Sequence, residues 1–331
     1  MNLELYVTLW PDLPHYLRFA QDKRLAGIRL NSAMVAQETV EKWLKYAVST
    51  AEVPLYFDIK GRQLRIKEVL PNKEHLELIV NHPIEVNTPC PVLFKGGEDC
   101  ALLKKVEGNK LIFKGGPHYG LKEGESLHVK HPSFAMQGPV FLDYERERIE
   151  IAKEAGIKKW ALSYVETQQE LEEFRKLVGE GEIIAKIESK RGLDFVLNDY
   201  VPMKDISLMA ARGDLYIELG MPHEILAATK QIIAKDATAM VGSRMLLTLI
   251  DERHKLGKER LSRGIPECSD FCELGWLYDI GYRRMLLCDD LCRNGEWLSF
   301  AVNAFKAFEQ DYAQKGVDIL NMKKMEEKEE W

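Results

Sequence analysis

The chain has 331 residues, 46% of them hydrophobic and 30% charged, with a net charge of -6. That is enough to bury a large core, and no basic run is long enough to track a phosphate backbone, which argues against nucleic acid as a partner. No apolar run reaches the roughly 18 residues needed to span a bilayer, and the start MNLELYVTLWPDLP lacks the basic and apolar regions of a leader, so no membrane association and a cytoplasmic location are expected.

From residue 1 to about 60, short β-rich runs alternate with helical ones: LELYVTL, LPHYLRFAQDK, AGIRL, QETVEKWLKYAVST and VPLYFDI. Such alternation predicts βα units and a parallel sheet. From about 62 to 132 the helical period vanishes. Short alternating strands are separated by turn signals (PNKE, KGGED, EGNK, KGGPHYG, LKEGE), which predicts an all-β insertion.

After Pro139 the alternation resumes. Helix LDYERERIEIAKEAG, strand KKWALSYV, helix TQQELEEFRKLVG, strand EIIAKIE, helix GLDFVLNDY, strand DISLMA, helix PHEILAATKQIIAK and strand ATAMVGS follow in order. A helical stretch from Arg244, a charged loop ERHKLGKERLSRGIPE, helix SDFCELGWLYDIG, strand RRMLLC and helix WLSFAVNAFKAFEQDYAQ complete the series. Eight strands, each followed by helix, predict an α/β fold: a (β/α)8 TIM barrel, residues 1–61 and 133–312, with a small all-β domain at 62–132 inserted after the third strand. Residues 313–331 read as a charged, solvated tail.

In such barrels the chemistry sits at the C-terminal ends of the strands. Those ends carry Arg29 and Asn31, Asp58 and Lys60 with Arg65 just beyond, Lys186 and Glu188, Arg212 and Asp214, Ser243, and finally Cys288, Asp289 and Asp290. Glu188 and Asp214 offer the oxygen ligands that Mg2+ or Mn2+ prefers. Arg29, Lys60, Arg65 and Lys186 form a cationic set suited to phosphate or carboxylate. Together they predict a metal-assisted site for a phosphorylated or dianionic acid. Asp289 and Asp290 read instead as a polar loop or helix start. The six cysteines include two pairs at a spacing of four, Cys268/Cys272 and Cys288/Cys292, which share a helix face and read mainly as buried thiols, with a metal or redox pair as the sharper alternative.

GIRLN, DIKGRQLRI, ALSYVETQQELEEFRKLVG, IIAKIESKRGLD, MAARGDLYIELG, GSRML and ECSDF, in this order, closely resemble the pyruvate kinase family, from about Tyr6 to Asp290. The resemblance implies a (β/α)8 barrel with a β-domain lid after the third strand. It implies Glu188 and Asp214 as ligands of the divalent cation, Lys186 and Arg29 on the transferring phosphoryl group, and further positive charge from Lys60 and Arg65. The backbone of Ala211, Arg212 and Gly213 with Asp214 would hold the substrate carboxylate. Ser243 stands where the family has a threonine on the proton-transfer side, and Asn31 and Asp58 would line a potassium (K+) site.

Ala33-Met34-Val35 replaces the family's Ser-His-Gly, and Lys60-Gly61-Arg62-Gln63 replaces Lys-Gly-Pro-Glu, so the potassium and nucleotide sides depart from the family while the enolate side is kept. The sequence ends after the eighth helix, and effector control through a C-terminal domain is not expected. Three readings follow: phosphoryl transfer between phosphoenolpyruvate and a nucleoside diphosphate such as ADP; metal-dependent enolate chemistry, lyase or decarboxylase, on pyruvate or another 2-oxo acid; or a non-catalytic relative that binds such a ligand. Exposed barrel helices leave a homo-oligomer open.

Overall fold

A computed structural model of the chain describes residues 2–71, 75–250 and 265–314. The turn expected at 72–74, most of the charged loop expected at 252–267 and the charged tail from 315 onward lie outside the described residues. Among the described residues no helix is long and apolar enough to cross a membrane.

The chain opens with β1 (Glu4–Thr8), α1 (Tyr16–Ala20), β2 (Gly27–Asn31), α2 (Val40–Thr50) and β3 (Leu55–Ile59). It then leaves for an antiparallel region with β4 (Ile66–Leu70), β5 (Glu77–Val80), β6 (Ile84–Glu85), β7 (Cys90–Phe94), β8 (Asp99–Glu107), β9 (Lys110–Lys114), β10 (His128–Val129) and β11 (Ala135–Met136). The return runs α3 (Asp143–Glu154), β12 (Lys159–Leu162), α4 (Gln168–Val178), β13 (Ile183–Ile187), α5 (Lys190–Asn198), β14 (Ile206–Ala211), α6 (Arg212–Glu218) and α7 (Glu224–Lys235). It closes with β15 (Met240–Gly242), α8 (Cys268–Asp279), β16 (Arg284–Leu286), α9 (Asp289–Cys292) and α10 (Gly295–Phe308).

Strands β1, β2, β3, β12, β13, β14, β15 and β16 pair in parallel in that circular order and close a barrel, so this is a (β/α)8 fold. The inserted strands form a six-stranded sheet, β10-β7-β8-β9-β5-β4, and a two-stranded ribbon, β11-β6, whose pairing carries the antiparallel region on to Met136.

Parallel strands covered by helices must be apolar on both faces, and β13 and β14 are buried at every position. The buried side chains divide into an outer layer between strands and helices and a separate inner cluster of Tyr6, Tyr56, Ala161, Ile184, Met209, Met240 and Leu286. Because strand side chains alternate, the residues two places beyond that inner layer also face the barrel axis, at its C-terminal end. Thr8, Asp58, Ser163, Lys186, Ala211, Gly242 and Cys288 are those residues. Lys186 and Glu188 are two apart for this reason.

The barrel seam interrupted by the insertion is spanned by aromatic contacts. Trp10 meets Phe57 at 6.5 Å between ring centroids, Phe57 meets Trp160 at 6.2 Å, and Trp160 meets Phe174 at 6.3 Å, all edge-on. Such pairs contribute about 0.5–1.5 kcal/mol each beyond area burial. Three helical readings differ: the stretch expected from Arg244 is, among the described residues, only a 3-10 turn at Leu247–Leu249, because Ser243, Arg244 and Leu246 hold left-handed backbones, and two helices are shorter than expected. The first is only Tyr16–Ala20, and the last ends at Phe308 before a π-helical turn over Glu309–Gln314.

Candidate active site

Asp58 is the electrostatic centre of the barrel mouth. Its side chain is 0% exposed, and Arg29 reaches it at 2.7 Å, Lys60 at 2.9 Å and Lys186 at 3.3 Å, all on one oxygen. Ser163 Oγ donates to the other oxygen at 3.1 Å and accepts from Lys186 Nζ at 2.7 Å. Burial disfavours a charged carboxyl, yet Lys186, Lys60 and Arg29 outweigh it and hold Asp58 well below the usual carboxylate range. The converse applies to Lys60, whose proton is loosened by burial and by the cations Lys186, Arg29 and Arg65, against the pull of Asp58.

Lys186 also pairs with Glu188 Oε1 at 3.1 Å, and the Tyr164 N–H donates to Glu188 Oε2 at 2.9 Å. Burial, with Asp214 and Asp58 as like-charged neighbours, pushes the Glu188 carboxyl above its ordinary range despite Lys186. Asp214 stands in the first turn of α6 with its side chain 25% exposed. Gln63 Nε2 donates to it at 3.2 Å, and Gln63 in turn accepts from Arg65 Nε at 3.0 Å.

Arg29, Lys60, Gln63, Arg65, Lys186, Glu188 and Asp214 line a cavity of about 340 Å³ together with Asn31, Ala211, Gly213, Ser243, Cys288 and Asp289. That volume suits a small acid. Gly213 lets α6 pack closely on Ser243, since a Cβ there would sit 3.3 Å from Ser243 Oγ. Tyr164, Ser243 and Arg244 hold left-handed backbones (φ 52°, 67° and 66°), and non-glycine residues so held concentrate at functional sites.

Of the residues singled out from the sequence, Arg29, Asn31, Lys60, Arg65, Lys186, Glu188, Ala211, Gly213, Asp214 and Ser243 border this one cavity, and Asp58 lies beneath it. The Arg212 side chain does not join them. Its guanidinium turns away to Glu273 at 2.6 Å and to the Ser243 carbonyl at 2.7 Å, leaving only its backbone at the mouth.

Four contributors carried little sequence signal. Asp289 is a helix start that also receives Arg29 at 2.9 Å and the Asn31 amide at 2.6 Å. Ser163 and Gln63 bridge charged groups; the place of Ser163 two residues after Ala161, which faces the axis, was the available clue, whereas Gln63 lies past the end of β3. His128, from the insertion, is fully buried, with Nδ1 2.6 Å from Glu218 and Nε2 3.7 Å from Asp214. Burial opposes its protonation, but Glu218 and Asp214 raise it above the ordinary imidazole value. Lys130 donates to the carbonyls of Ile217 (2.6 Å) and Leu219 (3.2 Å), so the insertion grips α6 at both His128 and Lys130.

The donor set can be tested against the ions it would hold. Glu188 and Asp214 offer hard oxygens on one cavity wall, and burial first and Asp214 next raise the cost of charge on Glu188, which a divalent cation would relieve. Among the described residues no three His, Cys, Asp or Glu side chains form a ready-made cage, so such an ion would take further oxygens from substrate and water. A monovalent cation at Asn31 and Asp58 fits poorly. Asp58 already faces three cationic side chains, the Asn31 amide donates to Asp289, and position 33 is alanine, without a hydroxyl.

Residues 118–249 match the family model described as pyruvate kinase, barrel domain. That stretch of the chain is similar to the barrel domain of pyruvate kinases. Among curated relatives, a pyruvate kinase of Methanocaldococcus jannaschii is 26% identical over 65% of this chain and 50% of its own length. One of Thermoplasma acidophilum is 26% identical over 70% of this chain and 45% of its own, and one of Agrobacterium vitis is 40% identical over 27% and 18%. The chain spans about half the length of the first two pyruvate kinases.

Proposed function

We propose that the barrel mouth transfers a phosphoryl group between phosphoenolpyruvate and a nucleoside diphosphate. The observation that carries this reading is the convergence of Lys186, Glu188 and Asp214 with Arg29, Lys60 and Arg65 on one small cavity. A divalent cation at Glu188 and Asp214 would supply positive charge to the substrate's oxygens. The N–H groups at the start of α6 suit the substrate carboxylate, since a helix N-terminus offers unpaired donors. Lys186 would stabilise charge on the transferring group and on the enolate oxygen left when the enol C–O–P linkage breaks, and Ser243 stands by for proton delivery to the enolate carbon.

A second reading, enolate chemistry on a 2-oxo acid without nucleotide, draws on one specific contact. Asp289 occupies the face of Arg29 opposite Asp58, so that guanidinium is already matched by two carboxylates.

Calorimetric titration of phosphoenolpyruvate with Mn2+, with and without ADP, on the wild type and Asp214→Asn tests both. Metal-dependent binding that ADP strengthens and Asp214→Asn abolishes is the expected result. Binding indifferent to ADP favours the second reading, and binding that ignores both metal and Asp214 refutes the two together.

A further inference from the structure

The two cysteine pairs share a spacing of four but not a fate. Cys292 is buried, with Sγ 3.4 Å from the Thr8 N–H and 3.9 Å from the Leu287 carbonyl, so it belongs to the packing of α9 on β1. Cys268 and Cys272 are both exposed on the first turns of α8, and their sulfurs are 3.8 Å apart.

That separation has a chemical meaning. Two thiolates bound to one tetrahedral ion at about 2.3 Å each stand about 3.8 Å apart. A disulfide requires about 2.05 Å, so the two thiols stand in S–H···S contact and not at bonding distance, and that contact matches the bite of a shared ion. Residues four apart on a helix project side by side, so the bite is fixed by a backbone that α8 already holds through twelve residues. The pair opens onto a groove between α8 and α10 that also carries Trp276, Asp279 and Asp311.

We propose that Cys268 and Cys272 form a two-thiolate clip for a thiophilic dication such as Zn2+ or Cd2+, separate from the barrel mouth. Each thiol loses its proton as the metal–sulfur bond forms, and water fills the remaining positions, so no oxidant is needed. The selection is for soft-ligand metals, in contrast to the oxygen donors Glu188 and Asp214.

The test is titration of the reduced full chain with Cd2+, following the near-ultraviolet sulfur-to-cadmium absorption, with Trp276 emission as a second readout. A single thiolate-bound ion per chain is expected in the sulfur-to-cadmium signal. Its signal should vanish in Cys268→Ser and in Cys272→Ser, persist in Cys100→Ser, and persist in Asp214→Asn, which keeps this result independent of the proposed catalytic function. Circular dichroism confirms that the variants fold, since both thiols are exposed. No signal, a signal surviving either single serine variant, or one lost in Asp214→Asn would overturn the proposal.

Discussion

Replacing Asp58 by asparagine would remove the negative charge that three buried cations share while leaving the side chain's size unchanged. Arg29, Lys60 and Lys186 all lie within 3.3 Å of one oxygen of Asp58, and the side chain is fully buried. Removing one partner of a buried ion pair typically costs about 3–5 kcal/mol. At roughly 2–4 °C per kcal/mol for a large domain, the melting temperature should fall by about 6–20 °C. The loss should depend on pH. Lys60 already binds its proton more weakly than an ordinary lysine, because of burial first and its cationic neighbours next, so it can shed the proton once Asp58 is neutral. Urea unfolding of wild type and variant at pH 6 and pH 9 should therefore show the smaller difference at pH 9. Acidification alone should not mimic the variant at pH 4, because a carboxyl held below its ordinary value keeps its contribution until the pH falls through that lowered value. A loss below about 1 kcal/mol at pH 6 would refute the hub, and equal losses at both pH values would refute the role given to Lys60.

Glu145 supplies a contrast in sign. Buried on α3, it accepts from the N–H groups of Gly61 (2.9 Å) and Leu142 (3.1 Å), yet burial pushes its carboxyl from 4.5 up to about 7. Its contribution is complete below the unfolded value and is lost as pH rises through the folded one, so stability should drop by about 3 kcal/mol between pH 4.5 and 7. Urea midpoints should record the drop and Glu145→Gln should flatten it; an unchanged slope in that variant assigns the effect elsewhere. Gly181→Ala should be severely destabilising, because its φ is 124° and a Cβ would fall 2.0 Å from the Lys158 carbonyl oxygen. Calorimetry showing a melting temperature within a degree or so of wild type would contradict that geometry. Asp289→Asn should free Arg29 and tighten calorimetric binding of phosphoenolpyruvate, whereas weaker binding would make Asp289 the residue that aims Arg29.

The barrel was legible because its strands are short apolar runs with charged residues at one end, and β13 ending in Lys186 and Glu188 shows the pattern most plainly. The site residues on β2, β3, β13 and β14 could be read for the same reason: a strand's period fixes which side chains face the axis. Helix α6 was not read, since Arg212-Gly213-Asp214 has the composition of a turn and becomes helical by packing between the barrel and the insertion. Asp289 looked like an ordinary polar helix start, and its hold on Arg29 depends on β16 and β2 both lying beside β1. His128 had no local signal at all. A histidine in an alternating strand reads as neutral, and only the docking of the insertion sets it against Glu218 and Asp214.

The position of the insertion also bears on how the barrel can assemble. Strands β3 and β12 are neighbours in space, yet about a hundred residues separate them, and β1 must find β16 almost the whole chain away. Within the insertion three of the six strand pairings are between consecutive strands, β4 with β5, β7 with β8 and β8 with β9. Local pairings close short loops at low entropic cost, so the insertion has the means to form before the barrel does. Once formed, it replaces a long floppy tether with a folded unit whose two ends leave side by side, and Phe57 and Trp160 are then delivered to each other for the seam to zip.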